Sequence, residues 1–140
     1  MAPFRPSLTR DTPELIGPRY GNRRCDVGDV AAGQRVAAWA REHLPAVQMY
    51  AHAAGALGQD AIADLTPEVH WAVCRAKVVG ASLGAALGCV ESQHLFSSTA
   101  AVWSQPGAAH YSGANAYLDV HAAGHRFDGL PTFLPQTIAP

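Results

Sequence analysis

Three side chains with the potential for chemistry stand close together past the middle of the chain: Cys89, Glu91 and His94. Glu91 and His94 are three residues apart, so both would face the same space on a helix. A cysteine beside a base can act as a nucleophile, because the thiolate is the reactive form. The trio is therefore a candidate catalytic site. The alternative is a buried thiol next to a polar pair at a helix end.

Two further histidines, His121 and His125, form a candidate metal pair. Their spacing of four residues places two imidazoles on one face of a helix, where they can hold a metal ion. His110, Tyr111 and Asp119 lie nearby in the sequence and could complete a pocket with either group. The alternative is that the two histidines face solvent or cap the end of the helix.

Two weaker patterns are also present. Glu91 and His94 match half of a carboxylate-bridged di-iron pattern, but a complete site needs a second copy that this sequence does not contain. Residues 80–84 share the letters of the Gly-x-Ser-x-Gly nucleophile elbow, with Ser82 at the serine position. That motif requires a turn from strand to helix, whereas here it falls inside a predicted helix. Neither pattern predicts an activity.

A long central helix over residues 66–96 would position the first trio. Thr66 can cap its first turn, and Pro67 and Glu68 are suited to the positions that follow. Apolar residues on nearly every side predict that this helix is buried. Small residues at every fourth position predict a ridge that another helix approaches closely. These residues are Ala72, Ala76, Gly80, Gly84, Gly88 and Ser92.

Caps and apolar stripes predict the other helices. They are a helix that Asp26 or Asp29 caps and that ends near His43, a helix over 46–57, a short helix capped within Ser97–Thr99, and a last helix from Ser112 or Asn115 to about Gly124. No alternation typical of a β-strand continues for more than a few residues. The sequence therefore predicts an all-α fold: a bundle of four to five helices around the glycine-ridged central helix.

Arms at both ends complete the predicted organisation. Residues 1–25 are rich in proline and arginine and predict an extended arm. Residues 26–126 form the helical domain, and residues 127–140 are an extended apolar tail that needs a groove to lie in. Charged residues make up only 15% of the chain and hydrophobic residues 49%. Covered surface is therefore expected, and the predicted partner is a second copy or another subunit of a hetero-oligomer.

Charge and cysteine content exclude several classes of protein. A net charge of −1 gives no reason to expect nucleic acid as a partner. The uncharged run over 78–90 is too short to span a membrane, so no membrane partner is expected. Three cysteines without Cys-x-x-Cys spacing, and an N-terminus without an apolar signal segment, predict a cytoplasmic protein. No motif identifies a cofactor.

Residues 44–96 resemble the alkylhydroperoxidase D and carboxymuconolactone decarboxylase family. The resemblance rests on a Leu-Pro pair before a helix and on the stretch LTPEVHWAVCRAKVVGASLGAALGCVESQH. Cys89 matches the first cysteine of that family's Cys-x-x-Cys-x-x-x-His motif, Ser92 stands at the second, and His94 comes two residues early. The resemblance implies an all-helical oligomeric enzyme that uses Cys89, Glu91 and His94.

Two functions are therefore predicted. The first is a non-catalytic or accessory subunit of a larger assembly, which the absence of a complete catalytic motif favours. The second is a small helical enzyme of the alkylhydroperoxidase D or carboxymuconolactone decarboxylase type.

Overall fold

The computed structural model describes residues 24–88, 91–104 and 106–137. Within this part of the chain, three α-helices alternate with short strands. The helices are α1 (Val30–His43), α2 (Pro67–Ala86) and α3 (Ala109–Phe127), and the strands are β1 (Met49–His52), β2 (Ser92–Leu95), β3 (Ser97–Ser98), β4 (Thr132–Phe133) and β5 (Gln136–Thr137). Two short 3-10 helices, Ile62–Asp64 and Thr99–Ala101, precede α2 and α3.

The strands pair in parallel, so the predicted all-α fold is wrong. One sheet has the order β1-β2-β4, and β3 pairs with β5 in a second sheet. Parallel neighbours need a long connection, and here α2 joins β1 to β2 while α3 lies between β3 and β4. The architecture is therefore α/β, with helices packed against a parallel sheet.

The predicted central helix over 66–96 is in fact a helix followed by a strand. Its start is confirmed, because the Thr66 hydroxyl accepts a hydrogen bond from the Val69 N–H at 3.3 Å. The helix ends at Ala86, and Gly88 then takes a φ of 96° that turns the chain away. The sequence did not reveal this break because four residues of β2 are too few to distinguish a buried strand from a helix by periodicity.

The other predicted elements have mixed outcomes. Asp29 caps α1 as expected, accepting hydrogen bonds from two N–H groups of its first turn, and α1 ends at His43. The helix predicted over 46–57 is wrong, since this segment contains β1. The last helix, α3, begins at Ala109, several residues before the predicted start. Ser98 caps the short helix Thr99–Ala101 as expected.

The glycine ridge on α2 faces the sheet and not another helix. Gly80 and Gly84 are buried, as predicted. A Cβ added to Gly80 would overlap the ring of His52 on β1, and one added to Gly84 would lie 2.6 Å from Nε2 of Gln93 on β2. The close approach was predicted correctly, but its partner was not, because the sheet itself was missed.

The ends of the chain, predicted as extended arms, are described only in part. The predicted arm over 1–25 falls almost entirely outside the described residues. The predicted tail over 127–140 contains β4 and β5, which pair with β2 and β3. Leu95 on β2 and Leu118 on α3 are fully buried and lie at the centre of the packing. Among the described residues, no helix is long and apolar enough to cross a membrane.

Candidate active site

The carboxyl ends of β1 and β2 define the edge of the sheet where a site is expected. The two strands are parallel neighbours, with His52 opposite Leu95 in register, so both end at the same edge. Ligands of open α/β sheets bind in the crevice outside the carboxyl ends of their strands. Residues that follow these two strands, and side chains that reach them from α2 and α3, are therefore the candidates.

Lys77, the chain's single lysine, reaches this edge from α2. Its Nζ donates a hydrogen bond to the carbonyl oxygen of Phe96 at 2.8 Å. The same Nζ lies 3.5 Å from the position that a Cβ on Gly55 would take, so the amine is close to the residues following both strands. The residue is only 6% exposed, and burial lowers the pKa of Lys77 to about 8. Lys77 has no ion pair with a carboxylate in the described part of the chain, and a buried lysine of this kind is typical of a functional site.

Two serines follow β2 and form β3. Ser97 and Ser98 are both fully buried. The Ser97 hydroxyl donates to the carbonyl oxygen of Asn115 at 3.2 Å, which fixes β3 against α3. The Ser98 hydroxyl accepts from the Ala100 N–H at 3.2 Å. Its own proton has no acceptor among the described residues, so Ser98 is free to donate a hydrogen bond to a ligand.

Tyr111 and Asn115 lie one turn apart on α3. The Tyr111 ring is largely buried and packs with Val73 of α2 and with Ala100, just after Ser98. Asn115 is fully buried, and its Nδ2 donates to the Tyr111 carbonyl oxygen at 2.8 Å. Its Oδ1 has no partner in the described part of the chain. A buried acceptor left unpaired costs about 1–3 kcal/mol, so this atom is suited to bind a water or ligand at the site.

These four side chains have the groups that carbonyl chemistry requires. Tyr111 offers a phenol that can give or take a proton, and Ser98 offers a hydroxyl donor. Lys77 brings positive charge, and Asn115 brings an unpaired acceptor. Such a set can bind a carbonyl oxygen and protonate it. Lys77 bonds Phe96, Ser98 bonds Ala100, and Tyr111 packs with Ala100, so all three contact the segment that follows β2. Asn115 bonds the Tyr111 carbonyl oxygen from the next turn of α3.

Two polar residues of β1, the half-buried Tyr50 and the buried His52, support this end of α2. The Tyr50 hydroxyl donates to the Gly80 carbonyl oxygen at 2.7 Å, and burial raises the pKa of Tyr50 to about 12. His52 is almost fully buried against Gly80. Burial, followed by the nearby charge of Lys77, lowers the pKa of His52 to about 4. Both rings are therefore neutral in the folded protein at neutral pH.

The predicted catalytic trio is not arranged as the sequence suggested. Cys89 lies outside the described residues. Glu91 is exposed and precedes β2, where its N–H donates to the Gln48 carbonyl oxygen at 2.8 Å. His94 lies within β2 and stacks on Phe133 with ring centroids 4.6 Å apart. Because this stretch is a strand and not a helix, the spacing of three residues does not put Glu91 and His94 on one helix face.

The predicted metal pair does come together. His121 and His125 lie on α3 with ring centroids 4.3 Å apart, and burial followed by the neighbouring His125 lowers the pKa of His121. Among the described residues, no group of three or more His, Cys, Asp or Glu side chains could hold a metal ion. The metal site therefore stays a prediction.

Sequence reasoning missed three of the four site residues. Tyr111 was named only as a neighbour that could complete a pocket, and Lys77, Ser98 and Asn115 were not considered as functional residues. One signal was available in the sequence: a Tyr-x-x-x-Asn spacing on a helix, following a Ser-Ser pair at the end of the segment 92–96. Its meaning depends on recognising that segment as a strand.

The fold defines a class of protein. The chain superimposes on a short-chain dehydrogenase from Streptomyces avermitilis with a TM-score of 0.70 and 22% identity, over 81% of this chain and 45% of that one. At this identity the likeness shows the fold alone. Parallel strands with helical crossovers and a site at the carboxyl edge are the features of a Rossmann-type α/β domain.

The family follows from a more specific match. The family model of the KR (ketoreductase) domain matches residues 16–136, so the chain belongs to the KR domain family. Among its relatives are the polyketide synthase GfsA of Streptomyces halstedii, 37% identical over 123 residues, and the erythronolide synthase EryA3 of Saccharopolyspora erythraea, 38% identical over 109 residues. These matches cover 86% and 76% of this chain.

Solved ketoreductases resemble the chain at the level of structure as well. The ketoreductase PlmKR1, from the first module of phoslactomycin biosynthesis in Streptomyces sp. HK803, matches with a TM-score of 0.70 and 36% identity over 78% of this chain. An A1-type ketoreductase matches with a TM-score of 0.68 and 35% identity over 79%. The chain spans only 26% and 24% of these two proteins, and 2% and 3% of the two synthases.

The family membership corrects the functional predictions made from sequence. The resemblance of residues 44–96 to the alkylhydroperoxidase D and carboxymuconolactone decarboxylase family is wrong, and so is an enzyme of that type built on Cys89, Glu91 and His94. The accessory helical subunit is also wrong, because the matching proteins are ketoreductases with an α/β fold. The resemblance rested on a few matching residues around Cys89 and on a helix that continues through them. Residues Ser92–Leu95 form a strand, so that helix does not exist there.

Proposed function

We propose that this chain carries the part of a ketoreductase site that binds and protonates the ketone, and that its substrate is a ketone on a growing polyketide. One arrangement carries the proposal: Lys77 bonds Phe96 just after β2, Tyr111 packs with Ala100 just after Ser98, and Asn115 bonds the Tyr111 carbonyl oxygen. The names of the relatives, which are ketoreductases and polyketide synthases, support the substrate class.

Each of the four residues has a role that follows from its chemistry. Reduction of a ketone adds a hydride to carbon and a proton to oxygen. Tyr111 supplies the proton, because it is the only one of the four with a weakly acidic hydroxyl. Ser98 donates a hydrogen bond to the same oxygen and holds it in place. The Lys77 ammonium stabilises the negative charge that develops as the phenol gives up its proton.

Asn115 completes the path by which the phenol recovers its proton. Its buried Oδ1 has no partner in the described part of the chain and lies one helical turn from Tyr111. A water bound there can accept from the Lys77 ammonium and connect the site to solvent. This role makes Asn115 a positioning residue for the proton path.

The residues of this chain do not fit a dinucleotide as well as they fit a carbonyl. Nicotinamide cofactors supply the hydride in reactions of this class. Rossmann-type domains hold the cofactor's pyrophosphate on a Gly-x-Gly-x-x-Gly turn, and no two glycines in this sequence have the Gly-x-Gly spacing. These 140 residues therefore offer no pyrophosphate turn, and the proposal is restricted to the proton-donating side of the reaction.

A chimera tests the proposal directly. The stretch of PlmKR1 that matches this chain is replaced by the corresponding residues of the chain, so that the host protein supplies what the chain lacks. NADPH-dependent reduction of a small ketone is then measured. We expect a working reductase that loses about 10²-fold or more of its rate on Tyr111→Phe, the usual size of a general-acid contribution.

The chain offers a matched control for that substitution. Tyr117 lies on the same helix but is exposed at 37%, so Tyr117→Phe removes the same hydroxyl away from the site. A folded chimera with unchanged activity after Tyr111→Phe would refute the proposed role. A second experiment tests whether the chain is restricted to the proton-donating side of the reaction. The unmodified chain is titrated with NADPH while cofactor fluorescence is monitored, and we expect no saturable binding.

We keep a cytoplasmic location as part of the proposal. Its support is that Cys25 and Cys74 are free thiols in the fold and that Cys74 is buried within it. Thiols in such a structure are typical of a reducing compartment. Localisation of a tagged chain in cells tests it.

A further inference from the structure

His110 is a buried side chain at the start of α3 that the proposed reaction does not use. The residue directly precedes Tyr111 and is only 1% exposed. Neither of its ring nitrogens forms a hydrogen bond in the described part of the chain. A carboxylate does face the ring, since Oδ2 of Asp60 lies 3.4 Å from Nε2 of His110, within the range of an ion pair. An imidazole buried with so few partners costs free energy, so its presence here needs an explanation.

Gly58 provides the space that the His110 ring occupies. A Cβ added to Gly58 would overlap Nε2 of His110 and would lie 2.8 Å from Cγ2 of Val73. The Val73 side chain also packs with Tyr111. Any side chain at position 58 would therefore have to displace the ring, and the glycine and the histidine form a complementary pair.

The residues that follow β1 run along one border of the candidate site. We call residues 54–60 the 54–60 segment; they alternate between half-buried and exposed, as in an extended chain lying on a surface. Near its beginning, a Cβ on Gly55 would lie 3.5 Å from Nζ of Lys77. At its end, the Asp60 N–H donates to the Gly107 carbonyl oxygen at 2.9 Å, in the turn before α3. The segment therefore extends from Lys77 to the start of α3.

The start of α3 is held in place by contacts that do not involve this segment. The His110 carbonyl oxygen accepts a hydrogen bond from Sγ of Cys74 on α2 at 3.3 Å. Tyr111 packs with Val73, also on α2. Loss of the contact between Asp60 and His110 should therefore free the segment and leave Tyr111 where it is.

We propose that His110 is a positioning residue: its ring, seated on Gly58 and paired with Asp60, holds the 54–60 segment against α3 as a wall of the ketone site. The inference rests on the proposed function, because the wall affects catalysis only if a ketone binds beside Tyr111. A wall that is already held in place lowers the cost of ordering the site when the ketone binds. It does not take part in the proton transfer itself.

Hydrogen exchange of the full chain tests this contact without reference to catalysis. Asp60→Asn removes the carboxylate charge and keeps the shape of the side chain, whereas Gly58→Ala pushes a methyl group into the His110 ring. Each should lower the protection factor of the residue 60 N–H by about fivefold or more. Because both changes act on the same contact, the double variant should be within about twofold of the more severe single variant.

The PlmKR1 chimera tests what the contact does for the reaction. Asp60→Asn should raise the KM for the ketone by about fivefold or more and lower kcat by less than about twofold, because a loosened wall weakens binding. Tyr111→Phe should instead lower kcat. The two failures are distinguishable: a fully active Tyr111→Phe chimera would refute the proposed function, whereas exchange in the full chain would still decide whether His110 holds the segment.

Asp64 provides the matched control. It is an exposed aspartate that forms no ion pair in the described part of the chain. Asp64→Asn should change neither the protection of the residue 60 N–H nor the KM. An unprotected residue 60 N–H in the wild-type chain, unchanged protection in Asp60→Asn, or single effects that add in the double variant would overturn the proposal. A chimera in which Asp60→Asn lowers kcat and leaves KM unchanged would overturn it as well.

Discussion

Two helices of this protein carry pairs of glycines, and the two pairs have opposite surroundings. On α2, Gly80 and Gly84 are buried and touch the side chains of the parallel sheet. On α3, Gly113 and Gly124 are exposed, and a Cβ added to either would meet no atom within 4 Å. Glycine in a helix interior costs about 1 kcal/mol relative to alanine in both cases. The comparison teaches that the role of a glycine in a helix depends on which atoms lie opposite it. The local sequence does not show those atoms.

The α2 pair connects directly to the site. Gly80 allows β1 to approach closely enough for Tyr50 to bond the Gly80 carbonyl oxygen. That approach sets the position of α2 against the carboxyl ends of β1 and β2, where Lys77 must reach Phe96. The α3 pair lies on the exposed side of α3, where a Cβ added to either glycine would meet no atom within 4 Å. One pair therefore fixes the fold, and the other leaves a surface open.

The largest expected effect is at the most crowded glycine. Gly80→Ala places a methyl group against the buried ring of His52 and should lower the free energy of unfolding by about 3 kcal/mol, the upper range for overpacking. Chemical denaturation measures it. In a His52→Ala background the same change should cost far less, because the ring that it strikes is absent. Equal costs in both backgrounds would show that His52 is not the partner of Gly80.

Acid should destabilise the α2 side of the molecule through His52. The pKa of this residue is about 6.5 in the unfolded chain and about 4 in the fold, because burial disfavours the charged ring. Between these values the unfolded chain binds a proton that the folded chain does not, so stability falls as pH falls from 6.5 to 4. A pKa difference of one unit corresponds to about 1.36 kcal/mol, so the full loss in the free energy of unfolding is about 3 kcal/mol.

Denaturation curves at several pH values measure how the free energy of unfolding changes with pH. His121, whose pKa is lowered as well, contributes in the same direction. His52→Gln should remove most of the slope, because the amide does not titrate in this range. A slope that is unchanged in His52→Gln would assign it to other groups.

A smaller effect is expected at Gly84. A Cβ there would lie 2.6 Å from Nε2 of Gln93 and 2.9 Å from Cδ1 of Tyr50. The amide of Gln93 can rotate aside more readily than the enclosed His52 ring, so Gly84→Ala should cost about 1–2 kcal/mol. Thermal and chemical denaturation measure it. A loss larger than that of Gly80→Ala would reverse the order that the structure predicts for the two sites.

The smallest effect has the opposite sign. The methyl group of Gly124→Ala on α3 meets no neighbouring atom, so no steric clash opposes the gain in helix propensity. The free energy of unfolding should rise by about 0.5–1 kcal/mol. Chemical denaturation measures it. Destabilisation by Gly124→Ala would mean that the α3 glycines are enclosed within the monomer, and the contrast between the two pairs would fail.

Local signals in the sequence predicted the starts of α1 and α2 well. Asp29 caps α1, and Thr66 caps α2, because a capping side chain bonds N–H groups two or three residues away. The strands were missed because they are short and because their partners lie far along the chain. Met49 pairs with Ser92, and Gln93 pairs with Thr132. Such pairing leaves no periodic mark in segments of two to four residues.

The candidate site was missed for the same reason. Lys77 looks like one polar residue on a buried helix until Phe96 is placed at the end of a strand beside it. Ser98 and Tyr111 look like a cap and a helix residue until the sheet brings them to one edge. The motif that was recognised, around Cys89 and His94, depended on a continuous helix that the turn at Gly88 interrupts.

The central claim, that Tyr111 protonates a ketone at the carboxyl edge of the sheet, is tested most directly by one ratio. It is the rate of ketone reduction by the Tyr111→Phe chimera divided by that of the Tyr117→Phe chimera, both measured with NADPH. The two substitutions remove the same atom from two turns of α3, one buried beside Ala100 and one exposed. A ratio of about 10⁻² or lower is predicted. A ratio near one, from two folded and active proteins, would contradict the claim.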